Sequence, residues 1–199
     1  MQAGYKKGSG SLPDMKRIFI AVKVVVGDKL SRMISSMKSE FSSEGINWTA
    51  YDNIHITLAF LGDTEANKIK NITSMLSDLG KTIGKFELTL RGTGVFKNIN
   101  DPRILWTGID PSDSLMELNR SIIGGLKELG HKIEERPFNP HLTIARIKYF
   151  RNKVVLEKLL DIYKDMLFQK AAVDEVILYE SILLPKGPVY KPLARFSLH

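Results

Sequence analysis

The chain has 199 residues, 43% hydrophobic and 26% charged, enough to bury one substantial core and unlike a fibrous or disordered polypeptide. It contains no cysteine, which excludes disulfide frameworks and thiolate metal sites and suits a reducing cytoplasm; no run of about eighteen apolar residues is present to cross a membrane as a helix. A formal net charge of +7 favours a polyanionic partner, because a basic surface attracts and steers phosphates.

Residues 1–14 are rich in Gly, Ser and Lys and read as a disordered leader or an artificial extension, so fold reasoning starts at Met15. Residues 16–26, β-branched and apolar, read as a strand. Residues 28–44 follow as an amphipathic helix with Leu30, Met33, Ile34, Met37 and Phe41 on one face, ended by Gly45. Strands at 46–51 and 54–61 flank a short turn at Asp52-Asn53, and Gly62 closes the second. Thr64 is placed to cap a helix reaching about Ile83, with Ile69, Ile72, Met75, Leu76 and Leu79 inward. Residues 86–96 alternate as a strand in which Gly92 and Gly94 suggest a bulge, and 103–109 form the next strand. Ser112 or Asp113 opens a helix to about Leu129, stopped by Gly130. The prolines of 136–140 hold that segment extended and deliver it into a strand at 141–147. A helix at 152–163 and strands at 168–184 and 189–198 complete the chain. Helices interspersed with closely linked strands predict an α+β architecture of antiparallel sheet.

Within that pattern, His55-Ile56-Thr57-Leu58-Ala59 is written a second time as His141-Leu142-Thr143-Ile144-Ala145. Successive side chains of a strand point to opposite faces, so each copy offers one imidazole and one hydroxyl to the same side. Core packing explains the apolar alternation, but not why a polar His and a polar Thr recur on one face, where burial without partners is costly. The remaining two of the four His, His131 and His199, have no companion motif and read as surface residues. The copies diverge at the fifth residue after the His, Phe60 in one and Arg146 in the other. Arg can grip a phosphate through two N–H groups, and Phe can stack on a nucleobase or fill a core. Strict alternation puts an odd offset on the face opposite the His unless the strand twists or bulges.

Paired His-x-Thr-x motifs in this order resemble the 2H phosphoesterase superfamily and, within it, the RNA 2′,3′-cyclic phosphodiesterase family that includes bacterial 2′-5′ RNA ligases. The likeness extends to Arg17-Ile18-Phe19-Ile20-Ala21, His55 through Gly62, Pro102-Arg103-Ile104-Leu105-Trp106, Arg136-Pro137-Phe138-Asn139-Pro140 and Gly187-Pro188-Val189-Tyr190, nearly everything from Met15 onward. It implies one bilobal domain at 15–199, with two pseudo-symmetric lobes of antiparallel sheet and outer helices around a central cleft. It also implies a cytoplasmic, metal-independent hydrolase without a cofactor. Its partner is RNA ending in a 2′,3′-cyclic phosphate, tRNA fragments among the candidates, and the default state is a monomer.

Opening a cyclic phosphodiester needs a base on one side of phosphorus, an acid on the other and donors for the non-bridging oxygens. Two His fill the first roles, with His55 assigned as proton donor and His141 as proton acceptor; Thr57, Thr143 and the family's phosphate-binding Arg146 serve the oxygens. That assignment expects Arg146 to depress the His141 imidazole and Phe60 to mark the nucleoside side. Neither motif carries metal-ligand spacing. Two other readings are a phosphodiesterase for 2′-5′ oligoadenylates or small cyclic nucleotides and, in another class, a non-catalytic RNA- or nucleotide-binding module. Phe19, Arg103 and Trp106 read as support for the fold, and Lys148, Tyr149 and Arg151 as a solvated basic turn.

Overall fold

The computed structural model describes residues 14–133, 137–185 and 187–199. Arg136 and Lys186, and the leader apart from Asp14, therefore lie outside the described residues. The elements run β1 (Met15–Lys23), α1 (Asp28–Glu40), β2 (Gly45–Trp48), a 3-10 turn (Tyr51–Asn53), β3 (His55–Glu65), α2 (Ala66–Gly80), β4 (Phe86–Phe96), β5 (Ile104–Ile109), α3 (Asp113–Glu128), β6 (His141–Tyr149), α4 (Lys153–Tyr163), β7 (Leu167–Val173), β8 (Glu175–Leu184) and β9 (Gly187–Ser197).

Each helix follows from an apolar stripe at helical spacing. Leu30, Met33, Ile34 and Met37 of α1, Ile72 and Leu76 of α2, Leu115, Leu118, Ile122 and Leu126 of α3, and Leu156 of α4 enter one continuous core with Ile18, Ile20, Ile56 and Leu142 from the strands. Ser112 caps α3 by accepting the Leu115 N–H at 3.3 Å. At the entrance to α4 a distant residue intervenes, the Glu44 carboxylate accepting the Arg151 and Asn152 N–H groups at 2.9 and 3.1 Å.

The strands form one antiparallel sheet in the order β7-β4-β5-β6-β3-β1-β8-β9, with β2 also paired to β6. Its two halves, β7-β4-β5-β6 and β3-β1-β8-β9, are joined through a single residue pair, Ile56 with Leu142. Each half contains one copy of the motif. The sheet curls until its ends meet near Asp174, whose carbonyl accepts the Leu198 N–H at 2.7 Å. On the face opposite the helix-lined core lies a smaller buried cluster, Phe19, Ala21, Ile177 and Tyr179 with Tyr190 against it.

Several local expectations are corrected. Residues 168–184 are two strands, because the chain leaves β4 at Val173, turns at Asp174 and continues beside β1 and β9 at the other end of the sheet. Gly62 does not close β3; with φ +67 it forms a bulge that carries the strand on to Glu65. Thr64 consequently lies buried opposite Lys16, its hydroxyl donating to the Gly62 carbonyl at 3.2 Å, and α2 begins at Ala66 without a side-chain cap. The strand expected at 46–51 stops at Trp48, and the 3-10 turn occupies the place of its end and of the Asp52-Asn53 turn. The bulge at Gly92 is present, with φ +70, whereas Gly94 is needed for contact: a Cβ there would stand 2.2 Å from the Trp106 ring.

Candidate active site

Residues that pair across antiparallel strands point to the same side. Ile56 and Leu142 face each other and both turn into the core, so their neighbours His55, Thr57, His141 and Thr143 all turn to the opposite, helix-free face. Diagonal neighbours across such a pair lie roughly 7–8 Å apart, room for a phosphate between two imidazoles.

The two copies share an irregularity that alternation cannot show. Opposite β1, Thr57 faces Ala21 and Ala59 faces Ile20, leaving Leu58 as an extra residue; opposite β5, Thr143 faces Trp106 and Ala145 faces Leu105, leaving Ile144 as its equivalent. An extra residue shifts the side-chain phase by one position. Leu58 and Ala59 are both buried and Phe60 is 52% exposed; Ile144 and Ala145 are both buried and Arg146 is exposed. The odd offset thus returns Phe60 and Arg146 to the face of the His and Thr.

Both imidazoles are held in the same way. His55 Nδ1–H donates to the Asn53 carbonyl at 2.6 Å and His141 Nδ1–H to the Asn139 carbonyl at 2.8 Å. A carbonyl only accepts, so each neutral ring keeps its proton on Nδ1 and leaves Nε2 for chemistry. The Thr57 hydroxyl lies 3.1 Å from His55 Nε2. These supports escape the sequence reading because they are backbone groups, although the repeat did carry a signal: an Asn stands two residues before each His. Asn53 also ties the start of β9 to the site, its Nδ2 donating to the Pro188 carbonyl at 3.1 Å.

Aromatic rings wall both imidazoles. Phe19 and Tyr190 lie 5.0 and 5.2 Å from the His55 ring, and Phe96 lies 4.7 Å from that of His141, edge to face. Phe19, read as support for the fold, is buried in the small cluster on the site face. Arg17 shares that face, its guanidinium 4.8 Å from the centre of the Phe60 ring, and its buried Nε has no hydrogen-bond partner among the described residues. Arg103 and Trp106 stay structural: Arg103 donates to the Lys148 carbonyl and pairs with Asp101, and Trp106 packs on Gly94. Lys148, Tyr149 and Arg151 are exposed, with Arg151 over the Tyr149 ring.

Burial holds the His55 imidazole below its ordinary pKa; the bond to Asn53 opposes this, and the charges of Arg146 and His141 push it lower still. The charge of Arg146 thus bears on His55, in the other motif. Burial pushes the Tyr190 phenol up, against the pull of Arg146 and Arg17, so both guanidinium groups bear on this face. Among the described residues no group of three or more His, Asp or Glu is placed to hold a metal ion.

Residues 28–181 match the model of the 2′-5′ RNA ligase superfamily. The chain is 35% identical over 181 residues to an RNA 2′,3′-cyclic phosphodiesterase of Thermotoga maritima, covering 89% of this chain and 92% of that protein. It is 34% identical over 175 residues to one of Methanocaldococcus jannaschii, covering 88% and 96%. Among solved structures it resembles a protein of Thermus thermophilus, with TM-score 0.75, 26% identity and coverage of 92% of this chain and 97% of that one. It also resembles E. coli LigT in complex with 3′-AMP, with TM-score 0.73, 26% identity and coverage of 93% and 99%.

Proposed function

The chain belongs to the 2′-5′ RNA ligase superfamily, and from that membership we propose that it is an RNA 2′,3′-cyclic phosphodiesterase using His141 and His55 as base and acid. The observation that carries the reading is the Ile56–Leu142 pair, which sets two His-Thr units on one open face, each imidazole held through Nδ1 by a backbone carbonyl.

In this mechanism His141 Nε2 takes a proton from water as its oxygen bonds to phosphorus. The bond from phosphorus to the ribose 3′-oxygen breaks, and protonated His55 gives its proton to that oxygen, leaving a 2′-phosphomonoester and a free 3′-hydroxyl. Thr57, Thr143 and Arg146 donate to the non-bridging oxygens, whose charge grows in the transition state. Bringing the anionic phosphodiester beside His55 offsets the charge of Arg146 and favours the protonated imidazole the acid role requires. The aromatic rings around His55 support a nucleoside, and with it the leaving 3′-oxygen, on that side. With an RNA 5′-hydroxyl in place of water as the nucleophile, the same ring opening, again expelling the 3′-oxygen, is 2′-5′ ligation. The reading includes action as a monomer in the cytoplasm on RNA ends, tRNA fragments among them; among the described residues no helix is long and apolar enough to cross a membrane.

The test is turnover of an oligoribonucleotide ending in a 2′,3′-cyclic phosphate, with chelator present and the product identified by phosphorus NMR. A 2′-phosphomonoester is expected. A binding module gives no turnover, and a metal-dependent enzyme loses it to the chelator.

A further inference from the structure

The pseudo-symmetry of the site breaks beside Phe60. Beyond the Ile56–Leu142 pair, β2 covers the exposed edge of β6, with Trp48 facing Ala145, Asn47 facing Arg146 and the Thr49 N–H donating to the Ile144 carbonyl at 2.9 Å. The matching edge of β3, from Leu58 to Phe60, has no such strand among the described residues. The segment leading into β6 carries Pro137 and Pro140, which have no N–H to give a ladder. The Leu58 carbonyl is taken instead by Asn119 Nδ2 of α3, at 2.7 Å.

Where a strand would lie there is a cavity of about 650 Å³, lined by Phe60, Ile123 and Phe138, by the cationic Arg120 and Lys127, and by Asn139, whose carbonyl orients His141. Gly124 of α3 also lines it, and a Cβ there would meet nothing within 4 Å. Its neighbour Gly125 has a packing reason to be glycine, since a Cβ would come within 2.8 Å of Met75. Gly124 has none, and glycine inside a helix costs stability; its missing side chain keeps the cavity open.

We propose that this cavity is the subsite for the nucleotide preceding the cyclic-phosphate end, its base against Phe60 and Phe138 and its linking phosphate with Arg120 and Lys127. This rests on the phosphodiesterase reading and deepens it, making the preferred substrate an RNA strand of at least two nucleotides. The volume lies within the usual range for small-ligand sites, roughly 300–1,000 Å³. The lining supplies aromatic faces for a base and cations for a phosphodiester. Position supports the same occupant. The rings of Phe19, Tyr179 and Tyr190 lie beside His55 on the β1 side, where they serve the terminal nucleoside, whereas the cavity lies toward α3 and the segment entering β6. A strand whose terminal phosphate sits between the two His can therefore continue past Asn139 into the cavity.

The test compares kcat/KM for a dinucleotide ending in a 2′,3′-cyclic phosphate with that for a nucleoside 2′,3′-cyclic monophosphate. Gly124→Leu fills the cavity while favouring the helix, and Arg120→Ala removes a cation; melting temperatures check that both fold. The ratio of dinucleotide to mononucleotide kcat/KM is expected to fall roughly tenfold or more in each, the scale of one lost stacked base or charged contact. An unchanged ratio, whether neither substrate suffers or both suffer equally, overturns the subsite. If the unaltered protein turns over neither substrate, the phosphodiesterase reading fails separately. Fluorescence anisotropy with a labelled RNA ending in a 2′-phosphate then decides the subsite: weaker binding by roughly tenfold in Gly124→Leu supports it, and equal binding rejects it.

Discussion

Ile56 and Leu142 face each other across the single backbone pair that joins the two halves of the sheet, and each is the apolar residue between a His and a Thr. Their shared inward turn brings four polar side chains from distant parts of the chain onto one surface. The proposed site thus sits on the seam of the fold, at the centre of its pseudo-symmetry. A seam of one pair also leaves both motif strands with open edges, and the unequal covering of those edges distinguishes the two sides of the site.

Replacing either imidazole should remove activity and spare the fold. His55→Ala and His141→Ala are each expected to lower kcat for a cyclic-phosphate RNA by ~100-fold or more, the scale of a positioned acid or base. Both rings lie on the face without helices, so circular dichroism and melting should stay close to the parent. A folded variant with near-normal kcat would show that its His takes no part in proton transfer.

The acidic shift of His55 gives a pH prediction with a definite sign. Its folded pKa lies below the ordinary value of 6.5, so as pH falls the unfolded chain binds more protons than the folded one. This contribution to stability is complete above 6.5 and is lost as pH falls through the folded value; His131, also lowered by burial, adds the same sign. NMR titration of the His55 ring should give a midpoint below 6.5, moving upward in Arg146→Gln as a repelling charge is removed. A midpoint at or above 6.5 in the parent would contradict both the burial and the proximity of Arg146.

Alternation showed the shared face of His and Thr in each motif, and helical spacing showed the inward faces of α1 and α2, since both patterns depend on where apolar residues recur. Phe60 and Arg146 were legible as candidates but not in direction. The extra residues Leu58 and Ile144 exist only relative to the partner strands, which one strand's sequence does not contain. The supports of the two His were hidden because carbonyl groups carry no residue identity. Asp174 illustrates a third limit: residues 168–184 keep their β character throughout, while the strand they pair with changes at one position.

Asn119 tests the junction between α3 and β3. Its amide is buried and satisfies the Leu58 carbonyl at the bulge of the first motif. Asn119→Leu keeps the volume and leaves that carbonyl without its partner, which should cost about 1–3 kcal/mol in urea denaturation. Because Leu58 follows Thr57, the same variant should lower kcat more than it raises KM. A variant as stable as the parent would show that the bulge is held by strand pairing alone.

The assignment of opposite roles to His55 and His141 has its own test. Both rings keep Nδ1 on a backbone carbonyl, so that bond does not tell them apart. What separates them is surroundings: His55 lies among Phe19, Tyr179 and Tyr190, a place for the nucleoside whose 3′-oxygen leaves, while His141 adjoins Asn139 and Phe96. An acid at His55 protonates the leaving oxygen; a base at His141 activates water on the far side of phosphorus. A substrate with sulfur in place of the 3′-bridging oxygen leaves readily without a proton. It should therefore restore much of the rate of His55→Ala and little of that of His141→Ala. Selective rescue of His141→Ala would exchange the roles, and failure of both rescues would remove proton transfer to the leaving group from the mechanism.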